Sequence, residues 1–88
     1  MKIKSGFKLI QRSGQNVVVP EYLNTVEQEN VILLNETAAF LWNLLLEKDL
    51  TKTEMLNALI ENFDISTVLA LGDIDVFVRT MKENGIIE

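Results

Sequence analysis

Val31-Ile32-Leu33-Leu34-Asn35-Glu36-Thr37-Ala38-Ala39-Phe40-Leu41-Trp42-Asn43-Leu44-Leu45-Leu46 is the stretch on which the fold turns. Its first four residues are apolar and read as a short buried strand. Asn35 breaks the run and offers a side-chain oxygen to an orphan N–H of a helix's first turn. Glu36 then places negative charge near the positive end of that helix's dipole. From Ala38 to Leu46 the sequence is apolar almost all round a helix, which implies cover on several sides and a central position. A strand passing straight into the central helix makes this stretch the joint between a small sheet before it and a helical part after it.

Before the joint, residues 2–12 read as a strand with Phe7 and Leu9 on one face and Lys8 and Ile10 on the other. Ser13-Gly14-Gln15 signals a turn, and Asn16 to Val19 a second, β-branched strand ended by Pro20. Glu21 to Asn30 is polar and reads mainly as a loop, with Tyr22, Leu23 and Val26 as anchors. Three short strands joined by turns make an antiparallel meander, which needs a helical layer over one face to be stable alone.

After the joint, the central helix ends near Glu47 to Asp49. Thr51-Lys52-Thr53-Glu54 fits a capping box, opening a second helix that runs to about Asn62. Met55, Leu56, Leu59, Ile60 and Phe63 form its apolar stripe. Ser66 caps a third helix with a stripe of Ala70 or Leu71, Ile74, Phe77, Val78 and Met81. Gly85 ends it and Ile86-Ile87 folds back as an apolar tail. The fold class is α+β: a three-stranded antiparallel sheet (1–34) followed by three helices (35–88) in one small domain spanning 1–88, a set of elements that also describes a winged helix.

Composition narrows the function. The 88 residues include no cysteine and no histidine, so disulfides, thiolate metal sites and the commonest general base are absent. A net charge of −5 disfavours nucleic acid and anionic membranes as partners. The N-terminal Met1-Lys2-Ile3-Lys4 leads into no long apolar run, and no run approaches the ~20 residues of a membrane span. These features read as a cytoplasmic protein. Glu27 and Glu29 are placed in a solvated loop rather than as an acid–base pair, and Asp73 and Asp75 complete no metal site. Lys2, Lys4, Lys8 and Arg12 make the first strand basic, either as a solvated face or as a surface for an acidic peptide stretch or protein surface.

Two features remain open on residues alone. Val31 to Leu34 has no charge or proline to guard an edge, so it is either a template for an added strand or an edge covered by the third helix. Gly72 either lies inside the third helix, beside Leu69 and Val76, where it lets a ligand backbone approach, or marks a helix that starts near Leu71. Trp42, on the central helix, reads as core rather than as a binding aromatic.

Leu34-Asn35-Glu36-Thr37-Ala38-Ala39-Phe40-Leu41-Trp42 resembles the "LNxTGAxIW" signature of the PqqD-like proteins, the RiPP recognition elements of ribosomally made, post-translationally modified peptides. The resemblance extends through Val17-Val18-Val19-Pro20, Thr51 and Glu54, and Asp73, Phe77, Met81, Gly85, Ile86 and Ile87. Ala38 stands where the family usually has glycine, Lys48-Asp49 replaces a usual glycine, and Leu71-Gly72 is unusual in the third helix. The resemblance implies a non-catalytic peptide chaperone of natural product biosynthesis with no cofactor of its own. It would bind the leader segment of a precursor peptide by strand addition and present it to a modifying enzyme, often a radical SAM protein. The implied peptide site is the third strand, Val31, Ile32, Leu33 and Leu34, with Val68, Leu69, Gly72, Asp73 and Val76 of the third helix. Whether Val31 and Leu33 or Ile32 and Leu34 face that cleft is open. The alternatives are a winged-helix nucleic-acid reader, for which the third helix offers only Arg79 and Lys82 against Asp73, Asp75 and Glu83, and a self-associating regulatory domain forming a homodimer through its open edge.

Overall fold

The computed structural model describes residues 1–22 and 32–87. Strands β1 (Phe7–Arg12), β2 (Gln15–Pro20) and β3 (Ile32–Leu34) form an antiparallel sheet of order β1-β2-β3. Helices α1 (Glu36–Glu47), α2 (Lys52–Asn62) and α3 (Thr67–Glu83) follow. The fold is therefore α+β with the element order the sequence predicts.

Local chemistry explains each boundary. Arg12 pairs with Gln15 across a two-residue turn, in which Ser13 (φ 53°) and Gly14 (φ 78°) both take positive φ. That geometry matches the twist of the flanking strands. The turn is one residue shorter than the Ser13-Gly14-Gln15 signal implies, because Gln15 already belongs to the ladder. Asn35 Oδ1 accepts the Ala38 N–H at 2.9 Å and starts α1. Thr51 and Glu54 exchange both bonds of the capping box, Glu54 N–H to Thr51 Oγ1 at 3.1 Å and Thr51 N–H to Glu54 Oε1 at 3.0 Å. The Thr51 backbone and hydroxyl hold the exposed Glu54 carboxyl below its ordinary pKa. Ser66 caps α3 through the Leu69 N–H. Gly85, at φ 69°, turns the chain so that the Ile86 N–H reaches the Met81 carbonyl at 2.8 Å.

One core joins sheet, helices and both described ends of the chain. It contains Val18 and Leu34 from the sheet, Leu41, Trp42 and Leu45 from α1, and Met55 and Leu59 from α2. From α3 come Ala70, Ile74, Phe77, Val78 and Met81, and Ile3 and Ile86-Ile87 complete it. Trp42 is fully buried, as its reading as core requires, although its indole N–H has no hydrogen-bond partner among the described residues.

Some expectations are corrected. The first strand begins at Phe7 rather than residue 2, because Ile3 leaves the sheet for the core and makes a separate bridge to Ile87. In α2, Ile60 is exposed, because Met55 and Leu59 alone supply its fully buried contact. Leu46 is likewise exposed, so α1 is covered on fewer sides than its composition implies. Ala70, not Leu71, begins the buried stripe of α3. Tyr22 is 81% exposed, so it is not the buried anchor expected of it. Val31, Leu23, Val26, Glu27 and Glu29 lie outside the described residues.

Candidate functional site

Sheet order makes β3 an edge. It pairs with β2 through Val17–Leu33, Val18–Ile32 and Asn16–Leu34, and no other described strand lies beyond it. Between this edge and α3 opens a cleft of about 570 Å³. Leu33, Leu34 and Asn35 form one wall, Asp73, Val76, Phe77 and Thr80 the other; Ala38 and Gln15 complete the lining. The question of which face of β3 meets the cleft resolves into both. Ile32 and Leu34 turn to the core side, Leu33 is 57% exposed on the other, and the cleft lies where Leu33 and Leu34 end the strand.

The α3 wall follows from helical spacing. Asp73, Val76 and Thr80 are three and four residues apart and so share one face, next to the buried stripe that carries Phe77. Val76 is 59% exposed. An apolar side chain left in water on each wall, Leu33 and Val76, is the feature a packed interior would not leave.

Among the described residues, Asp73 supplies the cleft's only charge. Its Oδ2 lies 3.1 Å from the Thr37 hydroxyl, which also lies 3.0 Å from Asn35 Oδ1. A hydroxyl has one proton, so it serves one of these acceptors at a time. Asp75, one turn-face away, instead pairs with Lys52 at 3.4 Å.

The residues expected to bind peptide separate into two groups. Leu33, Leu34, Asp73 and Val76 meet around the cleft. Val68, Leu69 and Gly72 are exposed on the N-terminal turns of α3, outside its lining, and Ile32 packs against the core. Because α3 starts at Thr67, Gly72 lies inside the helix and the later start near Leu71 does not occur. A Cβ added at Gly72 would meet no atom of the described residues within 4 Å. Gln15, Asn35, Ala38, Phe77 and Thr80 line the cleft without having been singled out for it. Thr80 was within reach of sequence reasoning, at four residues from Val76, but Gln15 enters only through strand pairing.

Among the described residues no cluster of acidic side chains is placed to hold a metal ion, and no helix is long and apolar enough to cross a membrane.

Residues 22–87 match the family described as coenzyme PQQ synthesis protein D (PqqD). No curated protein sequence matches the chain. Among solved structures, one described as TbiB1 in complex with the TbiA(beta) leader peptide is similar in fold. Its TM-score is 0.71 at 18% identity, over 100% of this chain and 95% of that one.

Proposed function

The chain belongs to the PqqD family, and on that premise we propose that it is a non-catalytic module that binds the leader segment of a ribosomally made precursor peptide. The leader adds as a strand to the free edge of β3 and sets alternate side chains into the cleft between β3 and α3. The observation that carries this reading is the pairing of an open strand edge with a cleft whose two walls expose Leu33 and Val76. Strand addition supplies main-chain hydrogen bonds that any sequence can make, and the cleft supplies discrimination among side chains. The solved structure of like fold contains a leader peptide, which supports the same use here.

Leu33, Leu34, Asp73 and Val76 form the centre of the proposed site. Val68, Leu69 and Gly72 extend it along α3, where apolar side chains stand in solvent beside a bare helix backbone. The bound peptide is presented, in the cytoplasm, to a separate modifying enzyme of the radical SAM class.

An NMR titration tests this. The isotope-labelled protein receives the leader half of the precursor peptide encoded beside it. Shifts concentrated on Ile32 to Leu34 and on Val68 to Thr80 are expected. A folded protein whose β3 and α3 signals stay unmoved, with and without the modifying enzyme, overturns the reading.

A further inference from the structure

Charge is segregated along this chain. Residues 1–20 carry four cations, Lys2, Lys4, Lys8 and Arg12, and no acid; all thirteen acidic residues lie from Glu21 onward, with four cations among them. The hairpin end is basic although the protein as a whole is acidic.

A second groove, of about 670 Å³, opens at that basic end. Lys2, Lys4, Phe7 and Leu46 line it, with Glu21 as its one acidic group among the described residues. Leu46 is 58% exposed on the last turn of α1, so the groove offers an apolar spot beside two ammonium groups.

The two lysines are held in place by the backbone between them. The terminal amine bonds to the Leu50 carbonyl, and the Leu50 N–H returns a bond of 3.0 Å to the Met1 carbonyl. Ile3 is buried and bridges to Ile87, while the Lys4 N–H donates to the Ile86 carbonyl at 2.7 Å. With Ile3 turned to the core, extended geometry puts Lys2 and Lys4 together on the outward side. Neither ammonium group has an ion-pair or hydrogen-bond partner among the described residues. Two like charges fixed side by side favour an anionic partner, and their fixed backbone lowers the ordering cost of binding one.

Among the described residues, this groove shares no lining residue with the β3–α3 cleft. Its Phe7 belongs to β1, two strand spacings or roughly 10 Å from β3 across the sheet. A module that presents a peptide must hold peptide and enzyme at once, and these are two separate surfaces on opposite sheet edges. We propose that the Lys2–Lys4–Leu46 groove docks an acidic, partly apolar segment of the modifying enzyme while the leader occupies the cleft. The choice of occupant rests on the leader-binding reading; the preference of this basic groove for an acidic segment does not.

The test uses an extended synthetic peptide alternating glutamate and leucine, and its counterpart with lysine for glutamate. NMR of the labelled protein reads both. The glutamate peptide is expected to shift the amides of Lys2 to Phe7 and of Leu46, to leave Leu33 and Val76 unmoved, and to weaken as salt rises. The double variant Lys2→Glu, Lys4→Glu changes only exposed side chains and should keep the remaining spectrum. It should weaken this peptide by more than about tenfold, ~1.4 kcal/mol. Leader peptide already in the cleft should not be displaced. Equal binding of the lysine peptide, seating of the glutamate peptide in the cleft, displacement of the leader, or no shift at all overturns the proposal. Shifts on protein concentration alone would assign the groove to a second copy and overturn it too. A leader that binds nowhere while the glutamate peptide binds here overturns leader recognition and leaves the basic groove standing.

Discussion

The Thr37 hydroxyl stands 3.1 Å from Asp73 Oδ2, joining the first turn of α1 to the cleft wall of α3 across 36 residues of chain. The same first turn is capped by Asn35, which follows directly on the edge strand. One short segment therefore ends the strand, starts the central helix and fixes the distance to the opposite wall. Removing the tether should be felt in stability. Thr37→Val and Asp73→Ala should each lower it by about 1 kcal/mol. The double variant should lose less than the sum, because both changes remove one interaction. Chemical denaturation of the four proteins measures this; full additivity would mean that the tether contributes nothing.

Leu33 and Val76 face each other's wall while mostly exposed. Leu33→Asp and Val76→Asp should change stability by no more than about 0.5 kcal/mol, as surface substitutions do. Each should weaken leader binding by more than about tenfold, ~1.4 kcal/mol. Calorimetric titration alongside thermal melts separates the two effects. A stable variant with unchanged affinity would remove that residue from the site.

Gly72 has open space where a side chain would stand. Gly72→Ala should stabilise the protein by about 1 kcal/mol, since glycine weakens a helix interior by that much. Gly72→Val should fold as well, yet weaken the leader by more than about tenfold if the peptide runs along α3 past Val76. Unchanged affinity in a folded Gly72→Val protein would confine the peptide to the cleft itself.

Trp42 is fully buried, and among the described residues its indole N–H has no hydrogen-bond partner. Trp42→Ala should destabilise by about 3–5 kcal/mol, enough to unfold a protein of this size. Trp42→Phe should be far milder, because it also removes a buried donor that lacks an acceptor. Comparable losses in the two variants would show that the unpaired N–H has no energetic weight.

Glu54 gives α2 a pH dependence of known sign. Its carboxyl titrates below the ordinary value because the Thr51 backbone N–H and hydroxyl favour the charged form. The stabilisation is present in full above the ordinary carboxylate range and is lost as pH falls through the lowered pKa. The stability difference between the protein and Glu54→Gln should therefore be present near neutrality and vanish in acid. A difference independent of pH would show that the charge of Glu54 is irrelevant to the cap.

Caps and stripes were legible in the sequence because they depend on neighbours three or four residues away. Asn35, Thr51 with Glu54, Ser66 and Gly85 each act where the sequence places them. The Leu34-Asn35-Glu36-Thr37 motif likewise pointed to the family that residues 22–87 match. The tertiary structure decided what composition could not. It placed Ile60 and Leu46 in solvent and drew Ile3 out of the sheet into the core. It also gathered Gln15, Leu33, Asp73 and Thr80 around one cleft. Helix caps and apolar periodicity are local, and a chain carries them in its order of residues. Which apolar side chain is covered, and which residues meet across a cleft, depends on strand pairing and helix packing between segments far apart in sequence, and no single segment encodes that.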